Sequence, residues 1–154
     1  MSSTGRLQWG NKSFFDLVKQ RLDMGDDVLI PVKGKSMQPF LYEGDEVLLR
    51  RIKPADLRIG AIVLVEWRST FVLHRLVRKD KGMLYLAGDN NLVQLEDVAE
   101  TAMLGLLVEA RREGKPLPIT SAWSYFLGLT WYHLRFPRRV WAGLTRRLGG
   151  KRGA

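Results

Sequence analysis

Gly34-Lys35-Ser36-Met37-Gln38-Pro39, closed by Gly44-Asp45, is the stretch on which the reading of this chain turns. Downstream and in order come His74-Arg75 and then Gly88-Asp89-Asn90-Asn91. A serine hydroxyl is nearly inert at neutral pH. It becomes a nucleophile only with a base within hydrogen-bond reach and with donors for the oxyanion that forms on the attacked carbonyl. Gly34, two residues before Ser36, lets a backbone approach closely. Met37 is expected to pack inward, and Pro39 fixes the backbone that follows. His74 supplies an imidazole able to take the serine proton and hand it to a leaving amine. Asp89 is the best candidate to hold that imidazole, by accepting from Nδ1–H. Gly-Asp-Asn-Asn is also a strong turn sequence, in which an aspartate caps backbone.

The segments on either side read as short strands. Asp27–Val32 leads into the serine turn, and Pro31 places that strand at an edge or bulge. An edge suits a peptide ligand, because extended backbone can pair with its free groups. Glu46–Ile52 follows, then a turn at Leu57–Gly60, a buried strand at Ala61–Trp67 and an alternating one at Phe71–Arg78. Gly82 marks a hairpin into Met83–Ala87, and Met103–Ala110 closes the sheet. Ahead of the strands, a helix from Ser13 to about Met24 presents Phe14, Phe15, Leu17, Val18 and Leu22, with Gly25 as its stop. The expected fold is mainly β: a small, coiled, mostly antiparallel domain with an N-terminal helix and a basic C-terminal helical tail.

At 154 residues and 45% apolar content, the chain supports one domain with a usable core plus an appendage. It has no cysteine, which excludes disulfides, thiolate metal sites and a cysteine nucleophile, and only two histidines, His74 and His133. No metal and no cofactor is expected. Met1–Gly10 is polar and lacks the apolar run of about 7–15 residues that a signal peptide requires. No stretch before residue 115 has the ~18 apolar residues of a membrane span.

The spacing of Ser36-Met37-x-Pro39, Gly44-Asp45, His74-Arg75 and Gly88-Asp89-Asn90-Asn91 resembles the signal peptidase I superfamily of serine peptidases. It is most similar to the endoplasmic-reticulum and archaeal branch, in which histidine replaces the bacterial lysine as base. No lysine of this chain fits that position, and Lys79 lies too far along. The resemblance covers about residues 13–110 and implies the fold of signal peptidases and self-cleaving repressors. It further implies a serine endopeptidase that removes a leader or signal-like segment, with small residues beside the scissile bond. It assigns Ser36 as nucleophile and His74 as base, with Gly34, Met37, Pro39, Val32 and Leu73 lining the substrate. Relatives of the histidine type often carry a further aspartate about six residues after the Gly-Asp, where this chain reads Val93-Gln94-Leu95 and then Glu96-Asp97. The orienting acid is therefore Asp89, Asp97 or neither. Many signal peptidases place a serine where Gly34 stands, so the oxyanion hole is expected to rest on the Ser36 backbone N–H, as in the repressors. The N-terminal anchor usual in signal peptidases is not expected. Neither is the repressors' DNA-binding module or their internal Ala-Gly cleavage site. A second reading keeps the fold as a catalytically inactive peptide-binding module.

The net charge of +9 is placed entirely at one end. Residues 1–110 carry 15 basic and 15 acidic side chains, whereas residues 111–154 carry 10 basic ones and a single acid, Glu113. Residues 1–118 are read as the catalytic domain, with 113–118 as a linker, and 119–154 as the tail. In the tail Trp123, Leu127, Trp131 and Leu134 fall at helical spacing. Pro137 interrupts, and Val140, Trp141, Leu144 and Leu148 resume the pattern. Basic and tryptophan-rich, this pair of segments suits a helix lying on an anionic membrane surface. It equally suits packing on the β domain or on a second copy as a homo-oligomer. Nucleic acid ranks last, since the β body offers no matching basic stripe. The expected location is cytoplasmic, or peripheral at the inner membrane surface.

Overall fold

In the computed structural model, residues 12–92 and 94–149 are described, with side chains up to Arg146; the reading of Met1–Gly10 lies outside them. Eight strands form one curled antiparallel sheet, a half-barrel, with one helix before it and two after it. The strands are β1 (Val28–Pro31), β2 (Glu46–Arg50), β3 (Ile62–Trp67), β4 (Thr70–Asp80), β5 (Met83–Ala87), β6 (Glu96–Ala99), β7 (Met103–Arg112) and β8 (Lys115–Pro116). The helices are α1 (Lys12–Asp23), α2 (Ala122–His133) and α3 (Arg135–Gly149). Strand order is β1-β2-β7-β3-β4-β5-β6, with β8 paired to β7.

The strands follow from their side-chain patterns. Ile62-Val63-Leu64-Val65 is apolar on both faces and is buried on both, as a central strand must be. Its even positions pack with α1, β1 and β2, whereas Val63 and Val65 join Leu76, Leu84, Leu86 and Val98 on the other face. On α1, Phe14, Phe15, Val18 and Leu22 fall on one stripe and are buried against the first of these cores. Leu17, counted with that face from the sequence, is exposed. The β3–β4 and β4–β5 hairpins turn on Arg68-Ser69 and Lys81-Gly82, each pair with positive φ, as two-residue hairpin loops require.

Two departures concern the C-terminal third. Residues 113–118, read as a linker, contain a tight turn and β8, and Leu117 N–H donates to Ala110 O at 2.8 Å. Ile119 is buried in the first core, so the appendage starts inside the packed body. Pro137 sits in the first turn of α3, where a missing N–H costs nothing. The break between the helices lies just before it, at Leu134. Among the described residues no helix is long and apolar enough to cross a membrane.

Candidate active site

Ser36 lies on the loop between β1 and β2, and the loop is pinned at its foot. Val32 N–H donates to Asp45 O at 2.7 Å and Gly44 N–H to Val32 O at 3.0 Å. The Asp45 side chain accepts from Tyr42 N–H at 2.8 Å and makes a two-bond pair with Arg112 of β7, at 2.8 and 2.7 Å. Burial pushes the Asp45 carboxyl up, but Arg112 and the Tyr42 N–H outweigh it and hold it below the usual carboxylate range. Gly34 has φ +78°, a conformation side chains disfavour, and it turns the chain toward Ser36. Met37 is buried beneath the loop, and the Gln38–Pro39 bond is cis. Ser36 itself is exposed. Among the described residues its backbone N–H has no acceptor, which leaves it free for an oxyanion.

His74 is carried by β4, opposite Val63 of β3. Its ring is almost wholly buried, and Nδ1 lies 2.8 Å from Glu96 Oε2, on β6. A carboxylate only accepts, so Nδ1 carries the hydrogen and a neutral ring keeps its lone pair on Nε2. Gly88 explains how Nε2 meets the serine loop. A Cβ at that position would lie 2.8 Å from Ser36 O and 3.0 Å from His74 Nε2. The absent side chain is what lets the two groups close around one point.

The acid on the imidazole is therefore Glu96, and neither Asp89 nor Asp97 occupies that place. Asp89 accepts from Arg75 Nε and Nη2 at 2.7 and 2.8 Å, while Arg75 Nη1 donates to Gly60 O at 2.7 Å. Both partners are fully enclosed. Burial pushes the Asp89 carboxyl up, and this exceeds the downward pull of Arg75. The pair shapes the loop whose Asn90 N–H donates to Ser36 O at 2.8 Å. Asp97 follows Glu96 on the strand and so faces the other way, exposed. Lys79 is tied to Leu57 O and Pro54 O, at 2.8 and 3.4 Å.

A cleft of about 150 Å³ opens between Val32, Lys33, Ser36 and Met37 on one side and Phe71–His74 on the other. Of the expected substrate-lining residues, Val32, Met37 and Leu73 border it, whereas Gly34 and Pro39 do not. Among the described residues, Phe71–His74 pair with β3 alone, because pairing with β5 starts at Arg75.

A sequence profile of peptidase S24-like proteins matches residues 4–108. The chain belongs to the peptidase S24-like family. The match runs through the helix, the serine loop and the strands bearing His74 and Glu96, and ends within β7. Of what lies beyond the S24-like part, namely β8, α2 and α3, it is α2 that touches Asp89 and Arg75 behind the site. Trp131 Nε1 of α2 donates to Asp89 O at 2.7 Å. Gly128 of α2 rides directly over the Arg75 guanidinium. No curated relative matches the chain.

Proposed function

We propose that this S24-like protein is a serine endopeptidase with Ser36 as nucleophile, His74 as general base and Glu96 as the acid that orients it. The observation that carries the reading is the His74–Glu96 bond at 2.8 Å beside an exposed serine on the rim of an open cleft. In the reaction, Ser36 Oγ attacks a peptide carbonyl as its proton passes to His74 Nε2. The Ser36 N–H receives the oxyanion. His74 then protonates the departing amine, and water, activated by the same ring, hydrolyses the ester. Glu96 stabilises the imidazolium in both halves without taking its proton.

The substrate is an extended peptide or protein segment, a leader or signal-like stretch with small residues flanking the cut. Its backbone pairs with the edge of β4 at Phe71–His74. An inactive peptide-binding module has one observation in its favour: among the described residues no hydrogen bond joins Ser36 Oγ to His74. Resting enzymes often form that bond only around substrate. The test is a fluorophosphonate probe together with a mixture of unstructured peptides read by mass spectrometry. Labelling at Ser36 and cleavage by the wild type but not by Ser36→Ala supports the peptidase. Equal peptide binding by both proteins, with no labelling and no cleavage, establishes the binding module instead.

A further inference from the structure

α3 has the make-up of an amphipathic helix, but among the described residues its apolar side stays largely exposed. Phe136, Val140 and Leu144 recur every fourth residue and Trp141 lies beside them, so they form one stripe. Phe136 and Trp141 are 70% and 71% exposed, and Val140 and Leu144 are both 49% exposed. None of the described α3 side chains is buried. The helix is held at its start instead. Arg138 Nη2 donates to Trp131 O at 2.9 Å and its guanidinium stacks on the Trp131 ring at 3.9 Å, while Arg135 stacks on Tyr132 at 4.4 Å. At the beginning of α2, Trp123 and Phe126 stack on each other and are likewise exposed. The polar side of α3 is of one sign. Residues 114–149 contain five arginines, at 135, 138, 139, 146 and 147, and no acidic residue.

We infer that α3 is an anchor that lies in the surface of an anionic lipid bilayer, its Phe136/Val140/Trp141/Leu144 stripe among the acyl chains and its exposed Arg139 and Arg146 at the headgroups. This does not depend on the peptidase reading. Charge and shape together select this occupant. The α3 of a second copy would set arginines against arginines, with no acid on either helix to offset them. A nucleic acid would satisfy the arginines but leave Val140 and Leu144 in water, since aliphatic side chains offer nothing to phosphate or to a base face. A bilayer with acidic headgroups satisfies both sides of the helix at once. Indole rings favour that same depth.

The full chain is tested by flotation with vesicles of phosphatidylcholine alone and of phosphatidylcholine mixed with phosphatidylglycerol. The wild type is expected to float with the anionic vesicles only, with tryptophan emission moving to shorter wavelength. Trp141→Ser with Leu144→Ser should lower partitioning about ten-fold or more. Arg139→Gln and Arg146→Gln should each lower it about five-fold and weaken its salt dependence. All four residues are solvent-exposed, so melting temperatures should not change; if the serine pair unfolds, the glutamine variants carry the test. The inference is overturned if the wild type ignores lipid charge or the variants float as it does. It is also overturned if the same substitutions abolish dimerisation or duplex binding in a protein that never binds vesicles.

Discussion

Replacing Gly128 by alanine sets two effects of opposite sign against each other. In a helix interior the change is favourable by about 1 kcal/mol. Here the new methyl would overlap Arg75 Cζ, Nε and Nη1. Arg75 has no room to yield, because its side chain is fully enclosed and its nitrogens are committed to Asp89 and Gly60 O. If the helix shifts as a unit, the cost is that of overpacking, about 1–3 kcal/mol. If the Arg75–Asp89 pair parts, two buried charges lose each other at about 3–5 kcal/mol. Set against the helical gain, the net loss is about 0–2 kcal/mol by the first route and about 2–4 kcal/mol by the second. For a chain of this length that lowers the melting temperature by about 2–4 °C per kcal/mol. Thermal unfolding followed by circular dichroism reads the loss, and turnover of a cleaved peptide should fall with it, because Asp89 shapes the loop that holds Ser36 O. Gly143→Ala is the control. A Cβ there meets nothing within 4 Å, so the same chemical change in α3 should raise the melting temperature. A Gly128→Ala protein as stable as Gly143→Ala would refute the reasoning, and with it the close seating of α2 on Arg75.

Glu96→Gln should lower kcat by about 10⁴-fold with the fold intact, since an amide no longer enforces the tautomer or stabilises the imidazolium, whereas Asp97→Asn should leave kcat unchanged. Gly88→Ala places a methyl against Ser36 O and His74 Nε2; probe labelling of Ser36 is expected to fall sharply while melting temperature falls much less. The Asp45 carboxyl is held below its ordinary range in the folded chain. Its contribution to stability is therefore complete above the unfolded value, about 3.9, and fades as pH drops through the lower folded value. Denaturant titrations should show wild-type stability declining below about pH 4, with a smaller decline in Asp45→Asn, which starts out less stable at neutral pH.

Patterns with a strong period were legible in the sequence. The α1 stripe, the doubly apolar β3 and the Gly82 hairpin each announce themselves over a few residues. The Ser36 and His74 motifs, which the fold sets on one cleft, were legible because they are local. Glu96 was not, although one clue stood beside it. In Glu96-Asp97-Val98-Ala99, alternation puts Glu96 on the side of Val98, inward, and Asp97 outward. Four residues of mixed composition give that period little weight, and the Gly-Asp turn favours Asp89, whose partner in the fold is Arg75, the residue after His74. The seat of α2 was hidden for a different reason. Gly128 and Trp131 meet Arg75 and Asp89 only through long-range packing, and nothing in a helical stripe states which face of the body it covers.

The edge of β4 at Phe71–His74, unpaired among the described residues, carries a hazard as well as a use. Free N–H and C=O groups in register are a template for any extended chain, including an unfolded copy of this one. That template is short, because the free part of β4 stops where β5 begins to pair, at Arg75. A visiting strand therefore finds a docking length of a few residues, too little for ribbons of molecules to grow edge to edge. Solubility and a narrow reading frame for the visitor come from the same shortness, and lengthening that edge would trade away both.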